Sequence, residues 1–333
     1  MTNFIKFLKI NVKSILICFI LLFFMVIFIS FPEKYLKSFY KVIILWALNV
    51  LPSLLPFFFL TALLTKTAKI SSISNKLSPL AKLLFNNDGI CFYPFIMSIL
   101  SGYPVGSSIV NELYSQKLIN KDQATKISVL ASTSGPLFIV GTVGICMFSN
   151  KLYGFIILIS HIIATVLSAI TLRNYKKQSF INNTTIPFKK IDNVLYESMY
   201  NSVISVLLVG GFIAISYVLT DICSDLNLLL PLEKVVAIIF SPFNIDNFQA
   251  KGFCYGLIEC TRGSQFLSSS SNYALSVALT SSVISFGGLS VFLQSITHLK
   301  KANVNIKIFC LGKLLSSIFA FIICYLIFII FRL

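Results

Sequence analysis

Among ionisable residues in apolar sequence, three stand out: Glu112, Glu259 and Arg262. A charge at the centre of a membrane helix costs about 2.5–3.5 kcal/mol on insertion scales, so each needs a function or a route to water. Glu112 ends the run LSGYPVGSSIVNEL, with Lys117 and Lys121 close behind, so it is equally suited to a helix end at the surface. Glu259 and Arg262 lie in GLIECTRGSQFL, three apart, a spacing that shares one helical face. Two chemistries follow from that spacing. Either the pair neutralises itself, or Arg262 is a forked donor for a solute carboxylate and Glu259 holds it in place.

The residues around these charges suit neutral recognition. Gly102, Gly106, Gly135 and Gly263 let backbone approach a ligand closely. Gly287-Gly288 breaks a later apolar run. Pro104 and Pro136 end helices, and the half-helix N-termini that result favour an anionic group. Tyr103, Ser107, Ser108, Asn111, Ser132, Ser134, Thr261, Ser264 and Gln294 supply neutral hydrogen bonds. Small hydroxyls also pack membrane helices together, so the clustering at breaks carries more weight than any one of them. No metal-ligand spacing, Ser-His-Asp arrangement, HExxH or phosphate-binding loop is present, so no enzyme, metal or cofactor is expected.

The elements that must position these residues are membrane helices. The chain is 56% hydrophobic and 11% charged, where a soluble domain carries roughly 25% charged residues. The apolar runs are continuous rather than alternating, which excludes a β-barrel. A net charge of +16 would suggest nucleic acid in a soluble protein. Here the basic residues fill short loops, where the positive-inside rule and anionic lipid headgroups account for them. The expected partners are a small solute and anionic lipids, not nucleic acid; a homo-oligomer stays open. The eight cysteines are scattered through apolar segments and read as small buried hydrophobes.

In chain order, the basic N-terminus Met1–Lys13 leads into a first span over 14–31, with no cleavage site after it. Pro32–Lys41 reads as a short external loop. The next span, 42–64, holds Pro52 and Pro56, so it is kinked; it either packs against neighbours or opens a cavity. Residues 65–85 form an interfacial amphipathic segment on the cytoplasmic side. The halves of 90–118 are each too short to cross a ~30 Å core, so they fit a re-entrant hairpin with its tip at 102–107. The span 127–148 is interrupted at Ser132–Pro136, and 152–172 is unbroken. A basic linker, 173–193, separates two halves.

The second half opens with a span over 194–219. An external loop carrying Asp221, Asp225 and Glu233 follows, then a short interfacial helix over 235–243. Residues 250–271 form a second hairpin, 272–299 is a span broken at Gly287-Gly288, and 314–331 is the last span. Read by loop charge, the halves 39–172 and 194–333 repeat one order of parts in opposite orientation, after an N-terminal unit 1–38. This is the inverted-topology repeat of secondary transporters. The expected fold is an all-α polytopic membrane protein with about seven spans and two re-entrant hairpins.

The run SGYPVGSSIVNEL, then SGPLFIVGTVG, GLIECTRGS and SFGGLSVFLQS, resembles the sporulation integral membrane protein YlbJ family, and LNVLPSLLPFFFL upstream fits it. The resemblance spans roughly Phe39–Ser295. It implies a Gate or nucleoside-recognition domain, related to concentrative nucleoside transporters. It also implies a role in moving dipicolinate across the outer forespore membrane, a small aromatic dianion that suits Arg262 and the half-helix N-termini. The alternatives are a nucleoside or cation symporter and a non-transporting assembly protein of the spore envelope.

Overall fold

The computed structural model of the chain describes residues 2–67, 70–176 and 194–331, and helix is the only regular structure among them. The chain is an all-α polytopic membrane protein. Five segments are long and apolar enough to cross a membrane: Pro32–Thr65, Lys151–Thr171, Val194–Asp225, Tyr273–Lys301 and Ile306–Phe331. The pair Lys76–Phe85 and Gly89–Ser101, bent by 87°, makes a sixth if taken as one span. Ser14–Ser30 and Leu137–Met147 are shorter apolar helices. Length and composition thus give five or six spans beside these two, where about seven were expected.

The N-terminal helix α1 (Thr2–Ser30) is followed at once by α2 (Pro32–Leu45). The external loop expected at Pro32–Lys41 is therefore helix. Pro32 starts it and Glu33 lies in its first turn, both strong helix-start signals that mixed charge obscures. Residue 38, taken as a unit boundary, falls inside α2. A π-helical turn, Trp46–Val50, carries the chain into α3 (Leu51–Thr67). This wide turn precedes Pro52, whose missing N–H loosens the ladder there. Side chains take up carbonyls in the turn: Ser53 Oγ donates to Val50 O at 2.7 Å and Thr142 Oγ1 to Asn49 O at 3.2 Å.

An amphipathic helix, α4 (Ile70–Phe85), precedes the first hairpin, α5 (Phe92–Ser101) and α6 (Val105–Ser115), which breaks at residues 102–104. The interrupted span follows as α7 (Lys121–Leu130), a non-helical stretch over 132–135, and the π-helical segment Leu137–Met147. The unbroken α8 is Lys151–Thr171. Most of the basic linker, residues 177–193, lies outside the described residues.

The second half has the same order of parts. It runs α9 (Val194–Asp225), α10 (Leu230–Ile239), a hairpin of α11 (Asn247–Ile258) and α12 (Cys260–Leu267), a span broken into α13 (Tyr273–Phe286) and α14 (Gly288–Lys301), and α15 (Ile306–Phe331). Two boundaries differ from expectation. Asp221 and Asp225 belong to α9 rather than to a loop, and α15 starts before Lys313 rather than after it.

Polar contacts fix which ends lie together. On the basic side, Asn303 Nδ2 donates to Tyr114 Oη at 3.0 Å, and Asn305 ties to Thr125 and to Tyr175. That gathers the ends of α6, α8 and α14 with the starts of α7 and α15. On the other side, Ser224 Oγ and Tyr255 Oη are 2.6 Å apart and Tyr153 packs on Tyr273 and Phe328. That gathers the end of α9, α11, the starts of α8 and α13, and the end of α15. The hairpins therefore enter from opposite sides. In the broken span Tyr273–Lys301, 78% of the most apolar window is buried, against 33% in Ile306–Phe331, so the former is central.

Candidate functional site

Four helix breaks meet at the centre. Gly102 has φ +85°, and a Cβ there would stand 2.7 Å from Gly135 N, so the first hairpin tip lies backbone against backbone on the interrupted span. Thr133 Oγ1 donates to Ser98 Oγ at 2.8 Å, and Thr61 and Ser101 share a short hydroxyl contact. At the second hairpin, Glu259 caps α12, and its Oε2 accepts from Arg262 N–H at 2.6 Å. Gly288 has φ +71°, and a Cβ there would stand 2.9 Å from Gly256 O. Each half thus packs its hairpin tip on its own broken span.

Two basic side chains from the unbroken spans join the halves. His161 on α8 is fully buried. Its Nε2 accepts from Ser134 N–H at 2.9 Å, so its proton sits on Nδ1 and is donated to Ser285 Oγ at 2.7 Å. Lys313 on α15 is 3% exposed, and its Nζ donates to Tyr103 Oη at 2.6 Å.

A small cavity of about 40 Å³ lies between the breaks. Val50, Leu54, Phe138, Val209, Ile213 and Val291 form its apolar wall, while Gly102, Tyr103, Ser134, Gly135, Glu259, Thr261 and Gln294 supply polar groups and backbone. Thr261 Oγ1 and Gln294 Oε1 are buried there with no hydrogen-bond partner. Such atoms usually have one, so each is an open valence facing the space. Val209 and Gln294 also line an adjoining space of about 440 Å³, with Asn111, His298 and Lys301. Pro104, Ser108, Asn201 and Ser205 connect that to a third space of about 140 Å³ reaching Thr65 and Glu112. Together they form a vestibule that opens on the basic side.

The residues singled out in sequence therefore divide. Gly102, Tyr103, Ser134, Gly135, Glu259, Thr261 and Gln294 come together at the cavity. Pro104, Asn111 and Glu112 line the vestibule. Ser107, buried in α6, and Pro136, which begins the π segment, line neither space. Gly106 and Gly263 approach protein backbone, at Ala131 O and Gly256 Cα, rather than open space. Gly287 and Gly288 form the bend between α13 and α14.

Arg262 lies on the side away from the vestibule. Its guanidinium donates to Asp221 Oδ1 at 2.8 Å and to Tyr217 Oη at 2.9 Å, and it stacks 4.5 Å from the Tyr217 ring centroid. Neither of the two roles read from the spacing holds as written. Glu259 faces the backbone amide of Arg262, because an N-cap carboxylate turns back onto its own helix, and Asp221 takes the guanidinium. Sequence reasoning missed His161, Lys313, Tyr217 and Asp221. A lone basic residue in an apolar run was the available signal for the first two.

No family model matches the chain, and no solved structure matches it. Among curated proteins it is similar to the sporulation integral membrane protein YlbJ of Bacillus subtilis (strain 168), at 25% identity over 332 residues, covering 93% of this chain and 81% of that protein. The alignment runs through both hairpins and both broken spans rather than through one motif. The chain is thus similar to this sporulation integral membrane protein along nearly its whole length.

Proposed function

We propose that the protein is a carrier for a small anionic solute acting in sporulation, with dipicolinate as its cargo and the outer forespore membrane as its location. The observation that carries this reading is the central cavity, where Thr261 Oγ1 and Gln294 Oε1 stand unpartnered among four helix breaks. Irregular backbone at membrane depth is tolerated where it is buried in protein or lines a cavity, and broken helices are where secondary transporters hold their cargo. A scaffold protein gains nothing from orphaned polar atoms there. The half-helix N-termini at Val105, Leu137 and Gly288 favour a carboxylate, and the apolar wall suits an aromatic ring. The sporulation role follows the name of the similar protein.

Hairpins entering from opposite sides support an inverted repeat and alternating access. The vestibule opens on the basic side, the cytoplasm by the positive-inside rule. Arg262, Asp221 and Tyr217 close the other side. A cavity of about 40 Å³ holds a few waters, so the tips part to admit a solute. The test is uptake of labelled dipicolinate into proteoliposomes, with a nucleoside as control. Saturable uptake that weakens in Thr261→Val and Gln294→Leu supports the reading. A second reading rests on Glu259, a carboxylate lining the cavity that suits a hydroxyl-bearing or cationic solute. Nucleoside uptake without dipicolinate uptake selects that reading. Transport and binding of neither solute favour an assembly role.

A further inference from the structure

Lys313 holds the two halves together through Tyr103, yet neither holding the halves together nor lining the cavity requires a charge there. Its Nζ lies 4.3 Å from the Tyr103 ring centroid, bonds the Tyr103 hydroxyl at 2.6 Å and reaches Ser132 O at 3.5 Å. A Cβ on Gly287 would stand 3.7 Å from it. This one nitrogen therefore bonds the first hairpin tip, reaches the broken span of the first half and lies beside the bend of the second. Tyr103 separates it from the cavity. Among the described residues, no carboxylate lies within ion-pair distance of it.

The groups that face it differ from one neighbouring element to the next. Tyr103 faces it from the first break, His161 from α8, and Cys260 from α12, with Glu259 beyond and turned to the Arg262 amide. From α13, Ser282 meets Ser317 of α15 through its hydroxyl and its carbonyl, neither of which titrates. On α7, Lys126 is held away by Asn86 O at 3.2 Å. His298, Lys300 and Lys301 occupy the last turn of α14, at the vestibule end.

An ammonium in such surroundings without a counter-charge is costly. Lysine, unlike arginine, has the option of giving up its proton when buried. A solute carboxylate arriving beside Tyr103 supplies the missing counter-charge, and attraction is strong where water is excluded. Binding of the anion and binding of the proton then favour each other, and the coupling is reciprocal.

We propose that Lys313 is the proton-coupling residue of the carrier. Its amine takes up a proton from solvent as the tips part and the anionic solute binds, and returns it on release, so one proton crosses with each solute. This rests on the anion-carrier reading. The test uses the full-length protein in proteoliposomes with a trapped pH indicator, and calorimetry of dipicolinate binding in buffers of different ionisation enthalpy. The expected result is one proton per dipicolinate in the wild type. Lys313→Arg, with a permanent charge, binds dipicolinate and takes up no proton. Lys313→Met loses affinity by about tenfold or more and also takes up no proton. Wild-type uptake or binding without proton movement overturns the coupling and leaves the anion carrier standing. Proton uptake persisting in Lys313→Arg overturns it equally. Absence of both transport and binding of dipicolinate overturns the coupling and the carrier reading together.

Discussion

Replacing His161 by leucine tests whether the two halves are joined as described. Leucine is close in volume to histidine, so the change leaves little cavity and removes two hydrogen bonds. Side-chain hydrogen bonds between membrane helices average about 0.6 kcal/mol, because the unfolded chain in the membrane finds other partners. The bond from Ser134 N–H differs from that average. Ser134 lies in a non-helical stretch two residues before Pro136, and proline disfavours the helical conformation of the residue before it. Its amide has no helical partner to return to. Leaving it buried and unsatisfied costs about 1–3 kcal/mol. Ser285 has an easier escape, since a helical hydroxyl can bond a carbonyl one turn back, so its loss adds about 0.6 kcal/mol.

The expected destabilisation is therefore about 1.5–3.5 kcal/mol. His161→Asn, which keeps an acceptor, should recover part of it. Ser285→Ala alone should cost under about 1 kcal/mol. The assay is reversible denaturation in mixed micelles, followed by the emission of Trp46, the single tryptophan of the chain. Its indole packs against Gly210 of α9, so it reports separation of the first kinked span from the second half. A loss below about 0.5 kcal/mol in His161→Leu would refute the reasoning, because it would mean that the Ser134 amide is satisfied without the imidazole.

Three further outcomes follow. Thr261→Val and Gln294→Leu should each leave stability unchanged or slightly raised while weakening solute binding about tenfold, since each removes a buried polar atom that has no partner in the protein; thermal melts in detergent beside binding isotherms check this split. Asp221→Asn should destabilise by about 1–3 kcal/mol, less than a fully buried pair would because both side chains keep some exposure, and Arg262→Gln added to it should cost little more, as a double-mutant cycle would show. Gly263→Ala should fail to accumulate as folded protein on size-exclusion chromatography, because a Cβ there collides with the backbone of Gly256, whereas Gly211→Ala, with open space around it, should behave as wild type.

Much of the architecture was legible in the chain. Glycine, proline and serine inside apolar sequence mark breaks directly, since Pro104, Pro136 and Gly287-Gly288 disturb the helical ladder wherever they stand. Both hairpins and both broken spans appear where those residues predict them. The start of α2 was misread because mixed charge resembled a loop, although Pro32 and Glu33 are also how helices begin. Asp221 was assigned to a loop for the same reason, a cluster of acids after an apolar run.

Hydropathy, loop charge and backbone chemistry are local properties, so the order of residues alone marks a helical membrane protein with breaks at particular positions. Which side chains face each other was decided by tertiary structure alone. Glu259 and Arg262 are sequence neighbours, yet the guanidinium went to Asp221, 41 residues away, once the carboxylate capped its own helix. Lys313 is a lone basic residue in an apolar run, but it follows several surface lysines, so that signal also fits an interfacial anchor. Its burial comes from Tyr103, 210 residues earlier, whose side chain reaches from the first hairpin tip to α13 and α15 of the second half. Burial and pairing depend on which distant segments exclude water from a group, and that is a property of the packed whole.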